Sequence, residues 1–213
     1  MITLAIWADF ACPYSYLEEK QLFDIIKKEN LSDNLKVKFL SYQLDPDAPV
    51  IPEVTMTQHF MDNHKYTEEQ TEHLMKKITA MASHVGLDYK LATTQVCSTF
   101  DAHRLMEYAQ KFASQETVIN LNFALFHANF IQNMRLSDHQ VLLSIAEKCG
   151  LDRKSVAAVL TSDEYSNQVK NDEAEIDRRK DFNLIPYMVF NNTTTLQGVI
   201  SQEAMEVALG VNH

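Results

Sequence analysis

Runs of hydrophobic residues typical of β-strands lie at the two ends of the chain. Residues 2–7 form a buried apolar run, and residues 35–42 alternate apolar and polar positions as a half-buried strand does. Near the C-terminus, the apolar run 185–190 and the segment 194–199 predict two more strands, joined by a turn at 191–192. The pattern therefore predicts a pair of strands at each end of the chain.

Helical spacing of hydrophobic residues dominates the rest of the chain. The first predicted helix begins beside Cys12, and its apolar positions recur at helical intervals. No proline lies between Pro52 and Pro186, which favours one helix after another. Capping patterns and apolar spacing predict the remaining helices at residues 67–86, 99–112, 117–130, 137–149, 155–160, 163–181 and 201–210.

The order of these elements predicts an α/β architecture. A strand-helix-strand unit comes first, a helical block follows, and a strand-strand-helix unit ends the chain. We interpret residues 1–55 and 163–213 as the two parts of one domain with a mixed four-stranded sheet. Residues 56–162 are then a large all-helical insertion domain.

The composition limits which binding partners and which cellular compartment we expect for this protein. The chain has 213 residues and a formal net charge of −10, which argues against nucleic acid or an anionic membrane as a main partner. No apolar run is long enough for a membrane span, and the N-terminus leads into a strand without the features of a secretory signal. Three cysteines without an even framework fit a reducing compartment, so we expect a cytoplasmic protein. The histidines show no metal-ligand spacing, so we predict no metal site.

Cys12 is the candidate reactive group, because it lies where the first strand gives way to the first helix. Unpaired backbone N–H groups and the positive end of the helix dipole meet at such a junction. Both favour the thiolate, which is the reactive form of cysteine. Pro13 suits the first helical position, where no N–H is required. We therefore expect a thiol with a lowered pKa at Cys12.

The segment Cys12-Pro13-Tyr14-Ser15 resembles the active-site segment of the DsbA family of thioredoxin-fold enzymes, in its FrnE-like branch. That segment normally reads Cys-Pro-x-Cys, so Ser15 replaces the second cysteine. Residues 13–17 are also similar to 2-hydroxychromene-2-carboxylate isomerases and kappa-class glutathione transferases, which carry serine in place of Cys12. Further matches to the FrnE-like branch lie at residues 44–47, 99–105, 125–130 and 198–203.

The resemblance covers nearly the whole chain and implies its fold. That fold is a thioredoxin fold, a βαβ unit followed by a ββα unit in a mixed four-stranded sheet, interrupted by a helical insertion. Its proline at the position of Pro186 is cis and holds the backbone of Ile185 opposite the active-site sulfur. That backbone can pair with an extended substrate, a peptide or glutathione.

The resemblance also implies chemistry at Cys12. A thiolate there attacks a disulfide sulfur and forms a mixed disulfide. Ser15 offers a hydrogen bond to the sulfur but no second thiol, so an external thiol, glutathione or another, must release the product. No permanently bound cofactor is expected. The expected partner is a disulfide-containing protein or peptide, or a glutathione conjugate, and the expected assembly is a monomer or homodimer.

Further side chains are predicted to bind substrate, to end the first strand or to pack in the core. The predicted substrate-binding residues, beside Ile185, are Tyr14, Pro13, Phe10 and His103. For His103 and Arg104, contacts to an anion or to glutathione and a role in helix packing are equally open. Asp9 either tunes Cys12 or, as we prefer, ends the first strand. Cys97 and Cys149 are interpreted as packing residues, with Cys97 as a distant resolving thiol the less favoured alternative.

Two rival functions stay open beside DsbA-like exchange. In one, a glutathione-dependent isomerase or transferase uses Cys12 or Ser15 to orient the glutathione sulfur towards a small aromatic or electrophilic substrate. In the other, a non-enzymatic adaptor keeps the fold for protein binding and tolerates a degraded motif.

Overall fold

A mixed four-stranded sheet forms the centre of the protein. The computed structural model describes residues 1–211, and of residue 64 the backbone alone. The strands are β1 (Ile2–Ala8), β2 (Leu35–Ser41), β3 (Tyr187–Phe190) and β4 (Thr194–Gln197). Their order is β2-β1-β3-β4, with β1 parallel to β2 and antiparallel to β3, and β3 antiparallel to β4. This topology confirms the predicted βαβ and ββα units around one mixed sheet.

Helices supply the remainder of the described chain. They are α1 (Pro13–Lys28), α2 (Met56–His64), α3 (Glu68–His84), α4 (Phe100–Phe112), α5 (Gln115–Phe130), α6 (His139–Lys148), α7 (Arg153–Leu160), α8 (Ser166–Asp177) and α9 (Gln202–Leu209). Six of them, α2 to α7, follow one another between β2 and α8, as the missing prolines predict. The proposed domain limits stay a prediction, and residues 212–213 of the C-terminal unit lie outside the described part.

The predicted helix starts are confirmed where the capping side chain is in place. Thr67 forms a reciprocal capping box with Gln70 at the start of α3, and Ser201 accepts the N–H of Ala204 at the start of α9. Four predicted starts are wrong. Helices α5 and α7 begin two residues earlier than predicted, at Gln115 and Arg153. The cap of α6 is Asp138 rather than Ser137, and α8 begins at Ser166 rather than near residue 163.

One apolar core joins α1 to the sheet and to α5. Ile6 of β1 is fully buried, and the Tyr16 ring of α1 stacks on Phe126 of α5 with centroids 5.2 Å apart. Phe130 and Tyr89 pack around the same ring. Such aromatic pairs each add about 0.5–1.5 kcal/mol beyond the area they bury. They therefore hold the first turn of α1, and with it Cys12, in a fixed place.

Candidate active site

Cys12 caps the N-terminus of α1 at the end of the turn that follows β1. Its backbone is extended, its N–H donates to the carbonyl of Asp9 at 2.9 Å, and Pro13 occupies the first helical position. The turn is fixed from two sides by side chains of the helical region. Asn129 donates to the Phe10 carbonyl at 2.9 Å, and the Tyr89 hydroxyl donates to the Pro13 carbonyl at 2.7 Å.

The Cys12 thiol is buried, and burial determines its ionisation. The residue is only 4% exposed. Burial, together with the negative charge of Asp9, raises the pKa of Cys12 to about 11, although hydrogen bonds from Ser15 and the Tyr14 backbone act to lower it. The expected low pKa is therefore wrong, because removal of the sulfur from water outweighs the helix N-terminus. In the free protein Cys12 is a thiol at neutral pH.

Ser15 lies one helical turn from the sulfur and is fully buried. Its hydroxyl makes no well-formed hydrogen bond to any described residue in the resting site. It nevertheless lies close enough to the Cys12 sulfur to act towards a lower thiol pKa. Its backbone N–H acts in the same direction. The Ser15 hydroxyl therefore has no competing partner among the described residues, and its role as a hydrogen-bond donor to the sulfur stays a prediction.

Asp9 organises the turn before Cys12, whereas the sequence alone favoured the simpler role of ending the first strand. Its Oδ1 accepts from the Ala11 N–H at 3.0 Å and the Thr99 hydroxyl at 2.8 Å, and lies 3.4 Å from His103 Nε2. Its Oδ2 accepts from the Leu44 N–H at 2.7 Å. Burial alone would raise the pKa of Asp9, but His103 and these donors outweigh it and lower the pKa. Asp9 therefore keeps its negative charge beside Cys12.

The two residues of α4 that were candidates for contacts to an anion or to glutathione, His103 and Arg104, contact other parts of the protein. His103 is buried against Asp9 and the Phe10 ring. Arg104 is buried with its guanidinium on the carbonyls of Val159, Ser162 and Glu164. Arg104 thus ties α4 to the segment between α7 and α8, and of the two open roles the packing role is the one the structure gives it.

The bond between Ile185 and Pro186 is cis, as predicted. The register pairs Trp7 with Tyr187, so Pro186 lies at the end of the sheet where β1 runs into the Cys12 turn. The Pro186 carbonyl accepts from the Gly198 N–H at 3.0 Å. Ile185 is buried. Segments from the N-terminal and C-terminal parts of the sequence therefore meet at this end of the sheet.

A cavity of about 410 Å³ opens beside the start of α1. Ala11 and Pro13, on either side of Cys12, line it, and Cys97 and Thr99 form part of the facing wall. Its other lining residues are Asp9, Leu44, Asp45, Ala48, Met56, His59, Phe60, Asn63, Gln95, Val96 and Asn129. Cys97, interpreted above as a packing residue, thus also borders this space.

Comparison with known proteins decides the family. The family model for the DSBA-like thioredoxin domain matches residues 3–210. The chain belongs to the DSBA-like thioredoxin family. Among curated proteins no relative matches it.

Solved structures of DSBA-like proteins match the fold along the whole chain. A probable DsbA oxidoreductase from Streptomyces coelicolor is 25% identical with a TM-score of 0.87, covering 100% of this chain and 92% of that one. A 2-hydroxychromene-2-carboxylate isomerase is 15% identical, with a TM-score of 0.70 and coverage of 98% and 94%. The cytosolic disulfide reductase DsbM from Pseudomonas aeruginosa, solved with GSH, is 13% identical, with a TM-score of 0.58 and coverage of 92% and 89%.

The predicted substrate-binding residues of this DSBA-like chain are only partly brought together. Pro13 lines the cavity, whereas Tyr14, Phe10, Ile185 and His103 are absent from its described lining, as are the predicted catalytic residues Cys12, Ser15 and Pro186. Tyr14 is half-buried beside Cys12, and burial followed by the Cys12 charge raises its pKa. The Phe10 ring packs on Phe126 with centroids 4.9 Å apart, so it has no free face for a substrate.

Helix α2 supplies a wall of the cavity that sequence reasoning missed. Met56, His59, Phe60 and Asn63 all lie on it. A signal was present, since Thr55 caps the helix by accepting the Gln58 N–H, in the Thr-x-x-Gln spacing of a capping box.

Two buried carboxyl groups in α1 were also missed. Burial raises the pKa of Glu18 to about 7 and that of Glu19 to about 8, although the Ile200 N–H and the Asn122 amide respectively act against it. Glu19 Oε2 accepts from Asn122 at 2.6 Å, while Oε1 has no partner among the described residues. Helical spacing carried the signal, because Glu18 shares one face with Leu22 and Ile25.

The described part of the chain lacks two kinds of feature. Within residues 1–211 no helix is long and apolar enough to cross a membrane. The same residues bring together no group of histidine, cysteine and carboxylate side chains that could hold a metal ion.

Proposed function

We propose that this DSBA-like protein carries out thiol–disulfide exchange through Cys12 alone, as an oxidoreductase or isomerase with an external thiol. One observation carries the proposal. Cys12 lies at the α1 N-terminus beside a cavity, and a buried serine hydroxyl faces the sulfur where the family's motif has a second cysteine. That arrangement supports formation of a mixed disulfide and provides no neighbouring sulfur within the motif to release it.

The proposed step is a simple exchange. Cys12 loses its proton to solvent, and its sulfur attacks one sulfur of a substrate disulfide. A Cys12–substrate S–S bond forms, and the other substrate half leaves as a thiolate. Ser15 donates to the Cys12 sulfur while that sulfur is charged, before the attack and again when it leaves. An external thiolate then attacks the mixed disulfide, so that Cys12 is regenerated.

The partners follow from that step. The substrate is a protein or peptide disulfide, or a glutathione conjugate, and glutathione or another small thiol resolves the intermediate. The backbone around Ile185 is the proposed docking edge for an extended substrate. All three cysteines are unpaired, which supports a reducing, cytoplasmic setting.

Turnover of a fluorogenic peptide disulfide with 2-mercaptoethanol as the resolving thiol tests this proposal. The native chain should accelerate the release, and Cys12→Ala should return the rate to that of the thiol alone. Cys149→Ala is the matched control, because that half-buried cysteine lies outside the cavity lining. Equal acceleration by the native and Cys12→Ala chains would exclude Cys12 exchange.

A glutathione-dependent isomerase or transferase is the second candidate. The observation that favours it is the buried Cys12, which stays an uncharged thiol at neutral pH beside a largely apolar cavity. This candidate predicts glutathione binding without a disulfide and turnover of aromatic electrophiles. The adaptor hypothesis predicts that Cys12→Ala leaves partner binding unchanged.

A further inference from the structure

The cavity beside Cys12 has an unbalanced charge. Two carboxylates, Asp9 and Asp45, line it, and of the basic residues its described lining holds one histidine, His59, but neither lysine nor arginine. The rest of the described lining is mostly apolar, with Met56, Phe60 and Val96 as its larger members. A charge in such a space is partly removed from water, where its interactions are stronger than on an open surface.

The two carboxylates differ in how many hydrogen-bond and ionic partners they have within the protein. Asp9 contacts His103 and accepts three further hydrogen bonds, as described above. Asp45 is half-buried in the segment after β2, and its Oδ1 accepts from the Asp47 N–H at 3.1 Å. No cationic side chain of the described residues lies within ion-pair distance of Asp45. Its charge is therefore available to a ligand in the cavity.

We propose that this cavity selects disulfides and thiols by charge, with Asp45 as the specificity-determining residue. It takes small molecules whose substituent is uncharged or carries an ammonium group, and it disfavours those that carry a carboxylate. The inference rests on the proposed function, because the reacting atom is the Cys12 sulfur. It narrows the external thiol of that function towards aminothiols and neutral thiols and away from glutathione, whose two carboxylates outnumber its one ammonium group.

The selection acts on the encounter and on the mixed disulfide. An ammonium group entering the cavity is attracted by Asp45, whereas a carboxylate is repelled by both aspartates. The covalent step is unchanged, since the Cys12 sulfur attacks one sulfur of the small disulfide and the other half leaves as a thiolate. No electrons are gained or lost overall, and the proton released by Cys12 goes to the leaving thiolate or to solvent.

Three small disulfides of similar length measure the selectivity: cystamine, hydroxyethyl disulfide and dithiodipropionate. The rate of adduct formation at Cys12 is followed by mass spectrometry and divided by the rate of free mercaptoethanol with the same disulfide. This division removes differences in intrinsic reactivity. The normalised rate should be about tenfold higher for cystamine than for dithiodipropionate, with hydroxyethyl disulfide between them. Added salt at about 0.5 M should reduce the difference roughly threefold on the unaltered chain.

Asp45→Asn keeps the side-chain oxygen that accepts the Asp47 N–H and removes the charge, so it should also reduce the preference roughly threefold. Asp47→Asn is the matched control, because Asp47 is exposed and absent from the lining, and it should keep the preference. Equal normalised rates, or equal effects of the two variants, would overturn the inference while exchange at Cys12 stands. Reaction with none of the three disulfides would remove the proposed function and the inference together.

Discussion

Alkylation of Cys12 should accelerate about tenfold per pH unit between about pH 7 and pH 10, a rise of roughly a thousandfold, because only the thiolate reacts. Burial, followed by the Asp9 charge, raises the Cys12 pKa to about 11 against the Ser15 and Tyr14 hydrogen bonds, so the thiolate fraction keeps growing over this range. Iodoacetamide labelling, quantified on the Cys12 peptide by mass spectrometry at each pH, gives the profile.

Two comparisons make this profile specific to the site. A cysteine in a short unstructured peptide, with a thiol pKa of about 8.5, should level off above about pH 9. Ser15→Ala removes the hydroxyl that donates to the thiolate, so its profile should shift towards higher pH. A plateau for Cys12 below about pH 8 would mean that the helix N-terminus outweighs burial, contrary to this account.

The free energy of unfolding should fall as the pH rises from about 5 to 8, and Glu19→Gln should remove much of that fall. Burial, opposed by the Asn122 hydrogen bond, raises the Glu19 pKa from 4.5 to about 8. Above about pH 4.5 the unfolded chain releases this proton while the folded chain keeps it. The unfolded state then binds fewer protons, so stability decreases with pH until the folded pKa is reached.

The expected size is on the order of 3 kcal/mol for Glu19, from about 1.4 kcal/mol per pH unit. Glu18 and Glu107, whose pKa values burial also raises, to about 7 and about 8, contribute with the same sign. Urea unfolding at pH 5 and pH 8 measures the difference for the native chain and for Glu19→Gln. Glu53→Gln, a substitution at an exposed position, should leave the difference in unfolding free energy between pH 5 and pH 8 unchanged. An unchanged difference in Glu19→Gln would show that Glu19 is ionised in the folded protein.

Sequence patterns were sufficient for the sheet and for most helices, because each carries a local signal. β2 pairs with β1 over the predicted run, and the Thr67 capping box starts α3 where expected. The limits of α8 could not be read in the same way. Its predicted span is a charged stretch without a capping side chain, and the helix starts only after Tyr165 adopts a left-handed conformation with φ of 66°. Such a start depends on tertiary packing, which a local pattern does not contain.

In the candidate site, too, features encoded locally could be predicted from the sequence, and features that depend on tertiary packing could not. The cis bond at Pro186, which the family resemblance implied, is confirmed, whereas the roles of Cys12 and Ser15, predicted from a local motif, stay predictions. The ionisation of Cys12 depends on how deeply helices distant in the chain bury it. The charge of Asp9 likewise depends on Thr99 and His103, about ninety residues away. No local pattern could therefore predict a raised thiol pKa or the acidic wall of the cavity.

The most direct test of the central claim is to locate the adduct after the native protein is incubated at about pH 9 with hydroxyethyl disulfide. Intact-mass and peptide mass spectrometry then assign the modified cysteine. The account predicts a mixed disulfide at Cys12 that free mercaptoethanol reverses and that Cys12→Ser lacks. Modification of Cys97 or Cys149 with Cys12 unreacted would contradict it.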